Sequence, residues 1–185
     1  MRIGLHHPLV YVNLIFFVFV CIQFWLISLF TQTTWLIDPY WTIVPPLVTY
    51  YYALHPLKGL VDETRVSVTC GLIVFWALSL TYSYFRREEW MLGAREDWRF
   101  ADMRKKNPTL FSFTSFFLAY VSQQPMLLGI TLPIWAVNFG ADAMRPFNML
   151  DIIAFTGCIL SIILARVADY QLRNFMVANE KRAKN

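Results

Sequence analysis

Long uncharged apolar runs alternate along this chain with short polar stretches, and that alternation predicts its elements. A bilayer core about 30 Å thick takes roughly 20 apolar residues per helix, and five runs qualify, over residues 8–30, 39–57, 66–85, 109–137 and 148–165. The first is too long for the core of a signal peptide and lacks a strongly basic start and a small-residue cleavage site, so it reads as a retained span. Asp38-Pro39 and Asn107-Pro108 each set a capping side chain before a proline at a first helical position, which marks the starts of the second and fourth spans. The fourth run continues without a charge to Ala141, about 50 Å if it were one helix, so it must end or kink near Pro125 or Pro133. The fifth run is the shortest and carries Asp151 at its start. The pattern therefore predicts an all-α, polytopic transmembrane helical bundle of about five spans, one domain over residues 1–185, with a polar loop at 86–108 and a polar tail at 166–185.

Composition sharpens this. The 185 residues are 57% hydrophobic and 15% charged, where a soluble domain carries about 45–50% apolar and about 25% charged residues, so lipid has to cover the excess. Seven glycines without an internal repeat exclude fibrous and disordered classes. A net charge of +4 alone would suit a nucleic-acid partner, but the basic residues sit between apolar runs with acids mixed in and no nucleic-acid motif, which excludes one. They act as topology signals instead: five spans put twelve Lys and Arg on the side that receives 86–108 and the tail, and four on the other. The positive-inside rule then makes the loop and the C-terminus cytoplasmic, in an endoplasmic reticulum membrane of a eukaryote or an inner membrane of a bacterium. Cys21, Cys70 and Cys158 lie inside apolar runs at no metal or redox spacing, and His6, His7 and His55 offer no ligand set, so no metal site is expected. No glycine-rich phosphate loop, nucleophile elbow or paired-carboxylate motif occurs.

Polar residues inside the runs are the candidates for chemistry. The second span holds Pro45 and Pro46, which free backbone carbonyls at membrane depth, so this helix should face protein rather than lipid. Tyr51 and His55 share a face, with Tyr52 beside them; they are either a wall that donates hydrogen bonds to a ligand oxygen or anchors at a helix end. Tyr120 and Gln124 share a face of the fourth span and either orient a ligand or bond a neighbouring helix. Thr81, Tyr82, Ser83 and Tyr84 cluster at one end of the third span, snorkelling or lining a pocket. If 94–106 is helical, Arg95, Arg99, Asp102 and Lys106 fall along one face, either as a grip on the phosphates of a nucleotide or lipid headgroup or as a solvated, ion-paired surface. Asp169 and Arg173, four apart beyond the fifth span, are an exposed pair or a polar site at the membrane surface.

Several of these segments carry a family likeness. Arg86-Arg87-Glu88-Glu89-Trp90, Arg95-Glu96-Asp97-Trp98-Arg99-Phe100, Arg104 and Ser115-Phe116-Phe117 resemble the steroid 5-alpha-reductase-like integral membrane proteins, in the subgroup of unassigned substrate. So do Asp38-Pro39-Tyr40-Trp41 and Ala168-Asp169-Tyr170-Gln171-Leu172-Arg173-Asn174-Phe175, and the likeness extends from residue 38 onward. It implies a helical bundle that uses NADPH to reduce a carbon-carbon double bond conjugated to a carbonyl, hydride adding to the beta carbon while donors stabilise the enolate oxygen in a dry pocket. Asp169, Arg173, Arg95 and Arg99 are then the candidate cofactor-binding residues, and Tyr51, Tyr52, His55, Tyr120 and Gln124 the candidate lining for a lipid-like substrate; no catalytic residue is assigned. The chain departs from the family in three places. Relatives continue with a motif Gly-Leu-Trp-Arg-Tyr-Ser-Arg-His-Pro-Asn-Tyr-Phe-Gly-Glu and further helices that supply much of the cofactor site, whereas this sequence stops at Asn185, so a truncated or partial form is expected. Phe111-Ser112-Phe113-Thr114 stands where relatives often carry paired tryptophans. The membrane glutamate of the characterised steroid reductases is missing from the second span, so a steroid substrate does not follow. The competing class is a non-catalytic membrane module that binds lipid or partner helices. A transporter ranks behind both, because acids and bases lie almost entirely at span ends.

Overall fold

The computed structural model describes residues 2–93 and 95–184, and among these every regular element is helical. A short α1 (Arg2–His6) precedes α2 (Pro8–Thr31), α3 (Ile37–Ala53), α4 (Glu63–Arg87), α5 (Trp98–Lys106), α6 (Pro108–Ser115), α7 (Gln123–Phe139) and α8 (Met149–Lys184). Of these, α2, α4 and α8 are long and apolar enough to cross a membrane by length and composition, which supports integral membrane insertion. The other two apolar runs are present as helix but are shorter or broken: α3 has 17 residues with two internal prolines, and the fourth run is divided between α6 and α7.

The division follows from backbone chemistry. Between α6 and α7 the chain takes a π turn, Phe116–Val121, in which the Ser122 N–H bonds the Phe117 carbonyl at 2.9 Å. Pro125 has no N–H to return to Val121, so the ladder changes register at that point. Pro133, the other expected break, is accommodated inside α7. A second π turn, Phe17–Ile22, interrupts α2 with no proline nearby, and the two π turns pack against each other. There the Cys21 thiol lies 3.6 Å from the Tyr120 carbonyl, and the Gln124 amide donates to the carbonyl and side-chain oxygens of Asn13 at 3.2 and 3.1 Å.

Two expected boundaries move. Asn107 caps α6 as the sequence suggests, its side chain accepting from the Leu110 N–H at 3.1 Å. Asp38, in contrast, makes no cap: α3 starts at Ile37, one residue earlier, leaving Asp38 in the first turn with its charge near the positive end of the helix dipole. The fifth span also runs on. α8 has 36 residues, about 54 Å, and the expected tail continues as helix because no Gly or Pro follows Gly157 to stop it.

The core lies between α2, α3 and α7, where Phe16, Phe24, Val44, Tyr52, Leu127 and Ile134 are buried together. Indole N–H groups tie the helices: Trp25 donates to the Ser112 carbonyl at 2.8 Å and Trp41 to the Gln123 side chain at 3.1 Å. α4 packs on α3, and α8 touches α4 while the rest of its apolar surface is exposed. At one end of this α4–α8 pair, Arg65 makes a two-pronged bond to Asp151 at 2.8 Å. Asp62 caps α4 there and takes the Phe147 N–H, bonds that hold its carboxyl below the ordinary range. An Asp151→Ala variant should lower the thermal unfolding midpoint in detergent, since it leaves the Arg65 guanidinium without its carboxylate, and Arg65→Met with Asp151→Leu should recover part of the loss. Equal midpoints for wild type and Asp151→Ala would show that the clasp contributes nothing.

Candidate functional site

At the other end of the bundle the start of α3, the end of α4, the loop 88–97 and the polar half of α8 surround a cleft of about 910 Å³, a size that suits a small-molecule site. Its shape depends on how α4 ends. Glu89 and Trp90 both take left-handed backbone angles, φ 54° and 64°, which are unfavourable for residues other than glycine. The turn is held by the Trp90 N–H on the Phe85 carbonyl at 2.9 Å, by Trp90 stacking on Phe85, and by Glu88. Glu88 is only 1% exposed: one carboxylate oxygen accepts from Arg87 Nε at 3.2 Å and the other from the Arg95 backbone N–H at 2.7 Å, closing the loop into a ring. Gly93, at φ +71°, seats against the Trp35 ring so closely that a Cβ would come within 2.9 Å of it. Glu96 completes the attachment, accepting from the Thr34 backbone and hydroxyl at 2.6 Å and pairing with Arg104. Burial by itself would raise the Glu96 carboxyl, but these bonds outweigh it and hold it below the ordinary range.

Arg95, Arg99, Asp169 and Arg173 all line this cleft, so the fold brings the four candidate cofactor-binding residues together. They are not equally available. Arg95 contacts Glu89 at 3.3 Å, and Arg99 is paired with Asp97, whose carboxyl is lowered chiefly by that bond. Arg173 donates to the Arg86 backbone carbonyl at 2.6 Å and Asp169 is exposed; neither has an ion-pair partner among the described residues. The expected face of Arg95, Arg99, Asp102 and Lys106 forms only in part, because α5 begins at Trp98 and leaves Arg95 in the loop; Asp102 and Lys106 pair within the helix at 2.7 Å.

The five candidate substrate residues lie elsewhere, within the bundle of α1, α2, α3 and α7. The Tyr51 hydroxyl at 2.7 Å and His55 Nε2 at 2.9 Å both meet the Gly4 carbonyl, fastening α1 to α3. Tyr52 packs edge-on against Phe139, and Tyr120 and Gln124 belong to the junction of the π turns. None of the five lines the cleft.

Sequence reasoning did not single out Glu88, whereas Tyr84 belongs to the Thr81–Tyr84 cluster that either snorkels or lines a pocket, and the structure places Ser83 and Tyr84 on the cleft wall. Tyr84 is 6% exposed and lines the cleft; its hydroxyl, like those of Tyr52 and Tyr120 in the bundle interior, makes no hydrogen bond of good geometry among the described residues, with the Gly93 backbone its polar neighbour. Asp38 faces it across the cleft, 3.9 Å from Arg87. Burial, with Asp97 and Glu88 nearby, pushes the Asp38 carboxyl from its ordinary 3.8 up to about 6 against the pull of Arg87 and Arg99. The folded chain thus holds this proton more tightly than the unfolded one. Its contribution to stability is complete below the ordinary value and is lost as the pH rises through about 6. Unfolding midpoints measured from pH 4 to 7 should fall more steeply for wild type than for Asp38→Asn; parallel curves would rule the shift out.

The profile of a family described as "Protein of unknown function (DUF1295)" matches residues 24–185, and the chain belongs to that family. It is 25% identical over 148 residues to an uncharacterised protein of Schizosaccharomyces pombe, an alignment covering 80% of this chain and 42% of that protein. The chain thus spans less than half the length of the curated relative it matches. No solved structure matches.

Proposed function

We propose that this chain forms the membrane-end cleft of an NADPH-dependent reductase that acts on a carbon-carbon double bond conjugated to a carbonyl in a lipid-like molecule. The observation that carries the reading is the buried, unpartnered Tyr84 hydroxyl on the wall of a cleft that also collects Arg95, Arg99, Asp169 and Arg173. NADPH, when bound, supplies the hydride. The residues fit such a group: Arg173 keeps most of its donors, and the Arg95–Glu89 pair is exposed on both sides, so exchanging a carboxylate for a phosphate there costs little. Tyr84 donates to the substrate's carbonyl oxygen and stabilises the charge that develops on it, once substrate binding opens the cleft onto the hydroxyl that the structure seals from solvent. The excess of basic residues at this end supports a cytoplasmic orientation of the cleft.

Titration of the purified chain in detergent with NADPH should give saturable binding that Asp169→Ala and Arg173→Gln weaken. Lack of binding through millimolar NADPH would leave the non-catalytic membrane module as the better reading.

A further inference from the structure

Three cations of the cleft stand apart from its ion pairs. Glu88, Glu89, Glu96 and Asp97 are engaged by Arg87, Arg95, Arg104 and Arg99, and Asp38 lies against Arg87. Arg86, Arg166 and Arg173, all half-buried, have no carboxylate within ion-pair distance among the described residues. Neutral contacts orient them instead. Arg166 donates to the Ser83 hydroxyl at 2.7 Å and covers the Tyr82 ring at 4.1 Å; Arg86 covers Tyr170 at 5.0 Å; Arg173 donates to the Arg86 carbonyl at 2.6 Å. Each guanidinium spends at most one of its five N–H groups in these contacts, so the cluster is positioned and rich in donors, with Asp169 the one carboxylate of the cleft left outside the ion pairs among the described residues. Half-buried like charges gathered in this way repel, and a multivalent anion relieves the repulsion.

The level of the cluster says where such an anion comes from. Along α4 the rise from Arg65, clasped to Asp151 at one end, to Ser83 at the other is about 27 Å, close to the thickness of a hydrocarbon core. Arg86, Arg166 and Arg173 therefore sit at headgroup depth, beside Tyr82, Tyr170 and Trp90, the aromatic types that favour that layer. Below Arg166, the apolar surface of α8 that includes Leu160, Ile163 and Leu164 is exposed, among the described residues, on a helix that packs mainly against α4 over part of its length.

We propose that Arg86, Arg166 and Arg173 hold the phosphate of an anionic lipid headgroup, with its acyl chains lying along the exposed apolar face of α8. Planar guanidinium forks suit phosphate oxygens, and the lipid-facing surface beneath them suits the chains. Arg173 is shared with the nucleotide reading above whereas Arg86 and Arg166 are not, so Arg166→Gln tests this site apart from that reading.

The test uses the full chain in phosphatidylcholine nanodiscs doped with spin-labelled phosphatidic acid, and reads the immobilised fraction of label by electron paramagnetic resonance. Labelled phosphatidic acid should be immobilised more than labelled phosphatidylcholine. Arg166→Gln should weaken that preference about tenfold, as expected for one charge-assisted contact, and the triple Gln variant should abolish it. The triple Lys variant guards against misfolding: with helicity unchanged, it should keep part of the preference, as should an Arg95→Gln, Arg99→Gln control in full. Equal immobilisation of the two lipids by wild type, or an undiminished preference in a folded triple Gln variant, overturns the proposal. Release of the label by inorganic phosphate but not by chloride at equal ionic strength makes the site one for soluble phosphate and overturns the lipid source.

Discussion

On the reductase reading proposed above, Tyr84→Phe should lower the rate of enone reduction by about 10²- to 10³-fold, the usual cost of removing one donor from a developing oxyanion, while the protein stays as stable as before or becomes more so. The two halves of this expectation come from one observation. The Tyr84 hydroxyl is buried and makes no hydrogen bond of good geometry among the described residues, with only the Gly93 backbone as a polar neighbour, so it contributes little to the fold and its desolvation is poorly compensated. Phe keeps the ring, its contact with Phe85 and the guanidinium of Arg87 over its face, so packing is preserved. A donor that acts only as charge develops should affect kcat and leave NADPH affinity unchanged, and steady-state kinetics with parallel cofactor titration separates the two. If Tyr84→Phe turns over at the wild-type rate, the hydroxyl is not the donor; if it unfolds at a markedly lower temperature, the hydroxyl has a structural partner.

What the sequence made legible and what it hid divide along physical lines. Five apolar runs become helices because burial and backbone hydrogen bonding in an apolar setting both reward helix, and a run of about 20 such residues has few alternatives. Asn107-Pro108 marks a start correctly because its capping is local. Asp38-Pro39 has the same pattern, but tertiary contacts begin α3 one residue earlier, so Asp38 is turned into the cleft beside Arg87. The loop and tail motifs named Arg95, Arg99, Asp169 and Arg173, and the fold gathers them along one cleft. Tyr51, His55 and Gln124 stood equally well for packing or for ligand binding because a hydroxyl, an imidazole and an amide serve a backbone carbonyl as readily as a substrate; in the fold they bond Gly4 and Asn13, partners that no sequence spacing announces. Glu88 was the least legible. In Arg86-Arg87-Glu88-Glu89 every residue reads as solvated, and only the left-handed turn at Glu89 and Trp90 shows that one of the four points inward.

That inward carboxylate leads to the second large effect. Glu88→Ala should destabilise the protein by about 2 kcal/mol and open the loop over the cleft. Removing one partner of a fully buried pair costs about 3–5 kcal/mol, but the Arg87 side chain is 57% exposed and can turn to water, so the lower figure is expected. The Arg95 N–H has no such escape, because the Glu88 carboxylate is the acceptor that closes the ring from residue 88 to residue 95. Without it the two left-handed residues, Glu89 and Trp90, lose one of the restraints against relaxing toward ordinary backbone angles, and the wall that carries Arg95, Asp97 and Arg99 should move with them. Glu88→Gln keeps an acceptor for the Arg95 N–H but loses the charge facing Arg87, so it should show the smaller stability loss with the loop still closed. Hydrogen exchange reads this difference directly: the Arg95 amide should exchange at least about tenfold faster in Glu88→Ala and close to the wild-type rate in Glu88→Gln, with NADPH affinity following loop closure rather than global stability. Equal exchange at Arg95 in wild type and Glu88→Ala would mean that the loop is held by Gly93 on Trp35 and by Glu96 on Thr34 alone.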